Sequence, residues 1–218
     1  MRAPSALRLR LAEIFLSVQG ESSRVGLPTV FVRLTGCPLR CSWCDTAYAF
    51  HGGTTVTLGE IIERVAEYDV RHVCVTGGEP LAQAGCQPLL TALCDAGHSV
   101  SLETSGALDI SEVDPRVIRI VDLKAPGSGE VDKNLWSNVD HLRPEDELKI
   151  VLADEADYAW ARQRLDDHGL AKRCSVLLSP VQGRLDPAAL AEWILRDRLP
   201  VRFQLQLHKV LWGNAPGR

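Results

Sequence analysis

The sequence predicts an α/β fold with a parallel sheet, either open or rolled into a barrel, and two observations lead to this prediction. Short runs rich in β-branched residues alternate with amphipathic runs along the 218 residues, without a linker, repeat or low-complexity segment. Strand-helix-strand units of this kind imply parallel strands. Polar and glycine-rich segments fall where predicted strands end, and parallel α/β folds build their sites there.

Seven short segments are predicted to be strands, because apolar and β-branched residues dominate each of them. They are residues 29–34, 72–76, 99–104, 117–123, 147–152, 174–179 and 201–206. A helix is predicted over TLGEIIERVAEY, where apolar residues recur at i, i+3, i+4 and i+7 from Leu58, and Thr57 and Glu60 have capping-box spacing. Further helices are predicted over QPLLTALCDAG, ending at Gly97, and over residues 155–168 and 187–198.

Composition limits the class of protein. The net charge of −4 argues against a surface that coats nucleic acid, and no apolar run approaches the roughly 20 residues of a membrane span. The basic start MRAPSALRLRLAEIF lacks the long apolar core of a signal peptide. Four of the seven cysteines, Cys74, Cys86, Cys94 and Cys174, are scattered in apolar stretches and are expected to be small buried hydrophobes. A reducing, cytoplasmic location is therefore expected, with no nucleic acid or membrane as partner.

Three thiols stand close together in GCPLRCSWCDT, at Cys37, Cys41 and Cys44, with the spacing C-x3-C-x2-C. A structural zinc site almost always has four ligands, and His51 could supply the fourth. Three thiolates could instead hold an iron–sulfur cluster with one iron left open, as a catalytic metal site requires. Chance clustering is the third reading, although exposed thiols in a loop are liable to oxidation.

The segment CPLRCSWC, followed by GGEP after the next predicted strand, resembles the radical S-adenosylmethionine (SAM) superfamily. The resemblance implies a [4Fe-4S] cluster held by Cys37, Cys41 and Cys44, with SAM chelating the open iron. It also implies a shortened, partial (β/α) barrel of the radical SAM type.

A narrower resemblance covers nearly the whole chain. FLSVQGESSRVGLPTVFVRLTGCPLRCSWCDT, VTGGEPL, LETSG, DLKAPGSG, ELKIVL, LSPV and QLQLHKVLWG are similar, in order, to the 7-carboxy-7-deazaguanine synthase family. This implies conversion of 6-carboxy-5,6,7,8-tetrahydropterin to 7-carboxy-7-deazaguanine with loss of ammonia, and a need for the cluster, SAM and magnesium. A flavodoxin or ferredoxin as electron donor and a homodimer are implied as well. We expect one domain over residues 1–218, with a substrate-binding segment 1–28, a barrel core 29–206 and a tail 207–218.

The family resemblance also implies roles for individual residues. Thr46 is the one protein ligand expected for magnesium. The residues expected to bind substrate are Val18, Gln19, Gly20, Arg33, Thr76 and Arg218. The residues expected to bind SAM are Trp43, Gly78, Asp122, Leu123, Lys124, Ser179, Pro180, Val181 and Gln182. The family motif Gln-Gly-Glu-Gly ends in Ser22 here, which makes that turn less permissive.

Two other functions compete with the synthase. A radical SAM activase of a glycyl-radical enzyme would share the thiols and GGEP, but it has no use for Gln19 and Arg33 as pterin ligands. A zinc-stabilised binding module without catalysis would contain zinc and no sulfide, and metal analysis of anaerobically purified protein separates it from both.

Overall fold

A computed structural model describes residues 7–213, 215 and 217, and over these residues one nine-stranded sheet carries all the strands. The strands are β1 Arg8–Val18, β2 Pro28–Leu34, β3 Thr54–Thr57, β4 His72–Gly77, β5 Ser99–Thr104, β6 Ile118–Asp122, β7 Glu147–Leu152, β8 Ser175–Pro180 and β9 Arg202–Phe203. The α-helices are α1 Leu58–Ala66, α2 Cys86–Asp95, α3 Glu155–His168, α4 Pro187–Asp197 and α5 Leu207–Trp212. None of the helices in the described part of the chain is long and apolar enough to cross a membrane.

The sheet has the order β3-β1-β2-β4-β5-β6-β7-β8-β9. Strands β2 and β4–β9 are parallel, whereas β1 runs antiparallel to both β2 and β3. In the described residues β3 and β9 do not pair with each other, so the sheet stays open. The predicted α/β fold with a partial barrel is confirmed.

The two faces of the sheet differ in polarity. One core cluster packs α1 and α2 on the outer face of the early strands, and a second packs α3 and α4 on the late strands. The inner face carries polar residues that alternate with this apolar core, such as Arg33, Thr76, Glu103 and Lys149. Because side chains along a strand alternate between the two faces of the sheet, the same strands supply residues to both the core and the site.

The helix ends follow from local chemistry. Thr57 and Glu60 form the predicted capping box at the start of α1, with side-chain bonds in both directions. Helix α3 covers the predicted residues, and Gly169 ends it in the left-handed conformation with φ 58°. The local predictions of these two helices are confirmed.

Four elements differ from the sequence-based prediction, and one of them is β3, Thr54–Thr57, which is not among the predicted strands. Periodicity does not predict β1, because a bulge between Leu11 and Glu13 breaks its alternation. The predicted strand 201–206 is wrong beyond Phe203, since Gln204 and the residues after it leave the sheet to contact the loop after β1. Helix α5 lies in the segment that was predicted only as a tail.

Candidate active site

A cavity of 740 Å³ opens where the parallel strands end, and it is lined from both ends of the chain. The predicted site residues that line it are Val18, Gln19, Gly20, Arg33, Cys37, Cys41, Trp43, Cys44, Thr46, Thr76, Gly78, Asp122, Lys124, Val181 and Gln182. Residues far apart in sequence thus share the wall of one cavity, as expected for a site at the carboxyl edge of a parallel sheet.

The three thiols of the loop after β2 lie on this wall. Cys37, Cys41 and Cys44 are free and half-buried, and burial raises the pKa of Cys37 and Cys41. The backbone N–H of Leu39 points to Cys37 Sγ at 3.4 Å, the kind of donor that surrounds cluster sulfurs. No group of three or more His, Cys, Asp or Glu in the described residues is arranged to hold a single metal ion. Three thiols on one loop are a donor set that fits an iron–sulfur cluster with one open iron.

The thiol loop is fixed by contacts at its tip. The Arg40 backbone N–H donates to Glu130 Oε1 at 2.6 Å, and the Ser42 N–H donates to the Ser128 carbonyl at 2.9 Å. Arg184 donates to the Ser42 carbonyl at 3.3 Å. The loop is therefore held by the segment after β6 and by the segment after β8, which both carry residues predicted to bind SAM.

The GGEP segment packs directly against the thiol loop. A Cβ on Gly78 would lie 2.3 Å from the Gly36 carbonyl oxygen, so only glycine fits. Glu79 is fully buried, and its carboxylate accepts the Ser105 N–H at 2.7 Å and the Thr104 hydroxyl at 2.8 Å. This buried carboxylate joins the ends of β4 and β5 beside the thiols.

The wall of the cavity also contains a carboxylate that binds two of the predicted substrate residues. Glu103 accepts a hydrogen bond from Gln19 Nε2 at 3.2 Å and another from the Thr76 hydroxyl at 2.9 Å. Gln19 and Thr76 were predicted to bind substrate, and Glu103 was not. The sequence signal for Glu103 is a charged residue within a strand whose other face is apolar.

A buried charge cluster lies next to Glu103. Lys149 Nζ is 2.6 Å from Glu21 and 3.3 Å from Asp122, and Lys124 is 3.1 Å from Asp122. Burial opposes both carboxylates, but the adjacent ammonium groups lower the pKa of Glu21 and Asp122 below their usual values. Burial also opposes the ammonium, yet the facing carboxylates raise the pKa of Lys149 well above its usual value. Lys149 therefore keeps its proton at neutral pH.

The segment after β9 closes the cavity against the loop after β1. Gln204 accepts the Ser22 N–H at 2.6 Å and donates to the Ser22 carbonyl at 2.8 Å. The Leu207 N–H donates to the Gly20 carbonyl at 2.9 Å, and Gln206 Nε2 donates to Glu21 at 2.7 Å. Ser22 adopts φ 67°, a left-handed conformation that the two Gln204 bonds hold in place.

Gly20→Ala is expected to disrupt this closure. A Cβ there would lie 2.0 Å from His208 Nδ1 and 3.0 Å from the His208 backbone nitrogen, so the His208 side chain must move and its backbone must give way slightly. We expect turnover to fall by about tenfold to a hundredfold, because small displacements of a binding wall have effects of this size. Hydrogen exchange of residues 204–212 should rise in the same variant.

The matched control is Gly59→Ala in α1, where no atom beyond its chain neighbours and the backbone of its own helix lies within 4 Å of the added Cβ. It should keep full turnover and stabilise the fold by up to about 1 kcal/mol, because alanine favours a helix over glycine. Unchanged exchange and turnover in Gly20→Ala would show that the contact does not hold the wall.

Some predicted residues do not reach the wall in the described part of the chain. The Leu123 side chain packs in the second core cluster, and Pro180 is buried. Ser179 is buried beside Val151 in the sheet register, and its hydroxyl has no partner among the described residues. Arg218 lies outside the described residues, but Ala215 and Gly217 of the same tail line the cavity.

Comparison with known proteins gives first the class and then the family. Residues 31–122 match the profile of the Radical SAM superfamily, and this segment contains the three thiols and GGEP. The chain is 52% identical to the 7-carboxy-7-deazaguanine synthase of Chlorobaculum tepidum over 94% of each chain. It is 41% identical to the synthase of the same name from Koribacter versatilis, over 94% of this chain and 97% of that one. The chain belongs to the 7-carboxy-7-deazaguanine synthase family.

A solved structure supports the same fold. The crystal structure of QueE from Escherichia coli superposes with a TM-score of 0.77 at 22% identity, covering 94% of this chain and 96% of that chain. At this identity the likeness concerns the fold, whereas the family rests on the sequence relatives. These relatives support the synthase over the activase.

Proposed function

We propose that this protein is a 7-carboxy-7-deazaguanine synthase, which converts 6-carboxy-5,6,7,8-tetrahydropterin to 7-carboxy-7-deazaguanine and releases ammonia. The observation that carries the proposal is one cavity whose wall includes both the three loop thiols and the polar residues Gln19, Arg33, Thr76 and Glu103. Relatives of matching length that bear this name support the assignment.

The cofactor side of the cavity would be formed by the thiol loop and the strand ends near it. Cys37, Cys41 and Cys44 would hold a [4Fe-4S] cluster, which with SAM supplies one-electron removal of hydrogen from a substrate carbon. The residues on the wall that support SAM binding are Trp43, Gly78, Asp122, Lys124, Val181 and Gln182. Ser179, Leu123 and Pro180 do not line the cavity, so for these three residues the proposal rests on the family resemblance alone.

The substrate side would bind the pterin. Arg33 offers a guanidinium to the substrate carboxylate, while Gln19, Thr76 and Glu103 offer donors and acceptors to the heterocycle. Lys149 keeps its proton and so serves as a donor. Burial lowers the pKa of His208, so its imidazole is neutral at pH 7 and can accept a proton. Val18, Gly20 and the tail that ends in Arg218 complete the proposed substrate wall.

Magnesium would bind at Thr46. This residue precedes the short helix Ala47–Phe50, but its side chain makes no capping hydrogen bond, and it lines the cavity. Its hydroxyl lies 3.8 Å from Cys44 Sγ, and this long contact leaves its oxygen lone pairs available to a cation. Magnesium commonly takes few protein ligands and completes its shell with substrate oxygens and water.

Thr46→Ala should leave the cluster intact and raise the magnesium concentration for half-maximal turnover about five- to tenfold, the equivalent of roughly 1–1.4 kcal/mol. The effect is partial because the substitution removes only one neutral oxygen ligand of the magnesium ion. Turnover would be titrated with magnesium in reconstituted protein. Thr55→Ala, an exposed threonine on β3, is the control and should titrate like the unsubstituted protein. An unchanged titration in Thr46→Ala would remove Thr46 from the magnesium site.

The proposed activity is tested by anaerobic incubation of reconstituted protein with 6-carboxytetrahydropterin, SAM, magnesium and a reductant. We expect the absorbance and mass of 7-carboxy-7-deazaguanine, with much less than one 5′-deoxyadenosine formed per product. Absence of the product would contradict the function. Stoichiometric 5′-deoxyadenosine would show that SAM is consumed and would indicate another radical SAM reaction.

The proposal also includes an electron donor, an oligomeric state and a cellular location. A flavodoxin or ferredoxin as electron donor, a homodimer and a cytoplasmic location stay predictions. The seven free thiols support a reducing compartment.

A further inference from the structure

The bulge in β1 changes the face on which Glu13 lies. Leu9 and Leu11 are buried in the first core cluster, on the outer face of the sheet. Leu11 pairs with Leu34, but Glu13 pairs with Arg33, so β1 advances by two residues while β2 advances by one. Regular alternation would have put Glu13 on the face of Leu11, in the apolar core. The extra residue turns it inward, and bulges next to sites often re-aim a side chain in this way.

Glu13 has two donors on the inner face. Its Oε1 accepts the Nε–H of Arg33 at 2.7 Å and the hydroxyl of Tyr48 at 2.8 Å. The Arg33 and Glu13 side chains are 13% and 24% exposed. Arg33 and Tyr48 line the cavity, and Glu13 is not among its lining residues in the described part of the chain. The contacts with Arg33 and Tyr48 are therefore the route by which Glu13 would act on a ligand.

These contacts fix the plane of the Arg33 guanidinium. Its Cζ lies 5.7 Å from the centroid of the Phe15 ring, and Phe15 stacks on Phe31 at 5.1 Å. Nε is occupied by Glu13, while Nη1 and Nη2 donate no hydrogen bond to the residues that the structure describes. The edge of the guanidinium formed by Nη1 and Nη2 is therefore free to bind a ligand in the cavity.

We propose that Glu13 is a positioning residue that holds Arg33 so that Nη1 and Nη2 receive the substrate carboxylate. The inference rests on the proposed function and adds to it a residue that contributes to substrate specificity. A planar guanidinium recognises a carboxylate through two parallel bonds, and this recognition depends on its orientation. An arginine that is already ordered also loses less side-chain freedom when the ligand binds. Glu13 therefore favours a carboxylated pterin over a pterin without this group.

The test compares equilibrium binding of two ligands, 6-carboxy-5,6,7,8-tetrahydropterin and 5,6,7,8-tetrahydropterin, to anaerobically reconstituted protein. Glu13→Ala should weaken binding of the carboxylated pterin about tenfold or more, which is the effect of losing one charge-assisted hydrogen bond. The affinity for 5,6,7,8-tetrahydropterin should stay within about twofold of that of the unsubstituted protein. Glu13→Gln keeps an acceptor oxygen for Arg33 Nε and should restore most of the affinity. In an Arg33→Ala background, Glu13→Ala should cause no further loss, because the two residues act as one unit.

The proposal is overturned if Glu13→Ala keeps full affinity for the carboxylated pterin. Equal loss of affinity for both pterins would overturn it too, since a structural defect alone would give that result. If Glu13→Ala does not fold, Glu13→Met fills a similar volume without an acceptor oxygen and is judged by the same results. Unsubstituted protein that neither binds nor converts the carboxylated pterin would instead refute the proposed function. Conversion by the unsubstituted protein, with full affinity in Glu13→Ala, would refute only the role of Glu13.

Discussion

Cys41→Ala is expected to abolish both the iron–sulfur cluster and turnover. Cys41 is one of three thiols on the wall of one cavity, and a four-iron cluster held by three thiolates has no spare protein ligand. Iron and sulfide should fall from about four of each per chain to near zero after anaerobic reconstitution. The fold should persist, because Cys41 is only half-buried and belongs to neither core cluster.

The matched control is Cys94→Ala. This thiol is also half-buried, but it lies in α2 against the first core cluster. It should reconstitute with full iron and sulfide and keep its turnover. A full cluster in Cys41→Ala, or none in Cys94→Ala, would contradict the ligand assignment.

Lys149→Met is expected to have the largest effect on protein stability among substitutions in the charge cluster of Glu21, Asp122, Lys124 and Lys149. The ammonium contacts Glu21 at 2.6 Å and Asp122 at 3.3 Å, so its removal leaves two poorly exposed carboxylates with fewer partners. Removing one member of a buried ion pair costs about 3–5 kcal/mol, because the remaining charge stays desolvated. The free energy of unfolding in urea would measure the loss, and turnover should fall with it.

The pH dependence of this effect follows from the carboxylates. Against the effect of burial, Lys149 lowers the pKa of Glu21 and, together with Lys124, that of Asp122, so its stabilisation is present above their unfolded pKa of about 4 and is lost as the pH falls through the lower folded values. The difference between Lys149→Met and the unsubstituted protein should therefore be largest at neutral pH and shrink in acid. Lys172→Met removes an exposed ammonium and serves as the control. A loss below about 1 kcal/mol in Lys149→Met would show that the pair is solvated like a surface pair.

The geometry of the cavity explains why these residues lie together. The thiol loop and GGEP form the rim at the strand ends, and Lys149, Glu103 and Arg33 project from the inner face of the sheet. The loop after β1 and the segment after β9 complete the wall where the sheet is open. An incompletely closed barrel thus encloses a reactive site because two irregular segments cover its gap.

The sequence by itself determined the features that depend on neighbours along the chain. The spacing of Cys37, Cys41 and Cys44 placed three thiols on one loop, and Thr57 with Glu60 specified a helix start. Strand periodicity placed Arg33 and Thr76 at the ends of parallel strands. These features rest on short-range sterics and on the alternation of side chains, which the sequence displays directly.

Only the tertiary structure decided which distant residues meet. Gln19 and Glu103 are 84 positions apart, and Ser22 and Gln204 are 182 positions apart, yet each pair is joined by hydrogen bonds. The inward orientation of Glu13 depends on a bulge, and a shift of one residue in register reverses the face of a side chain. Register and loop paths are set by packing over the whole sheet, and no local pattern in the sequence encodes them.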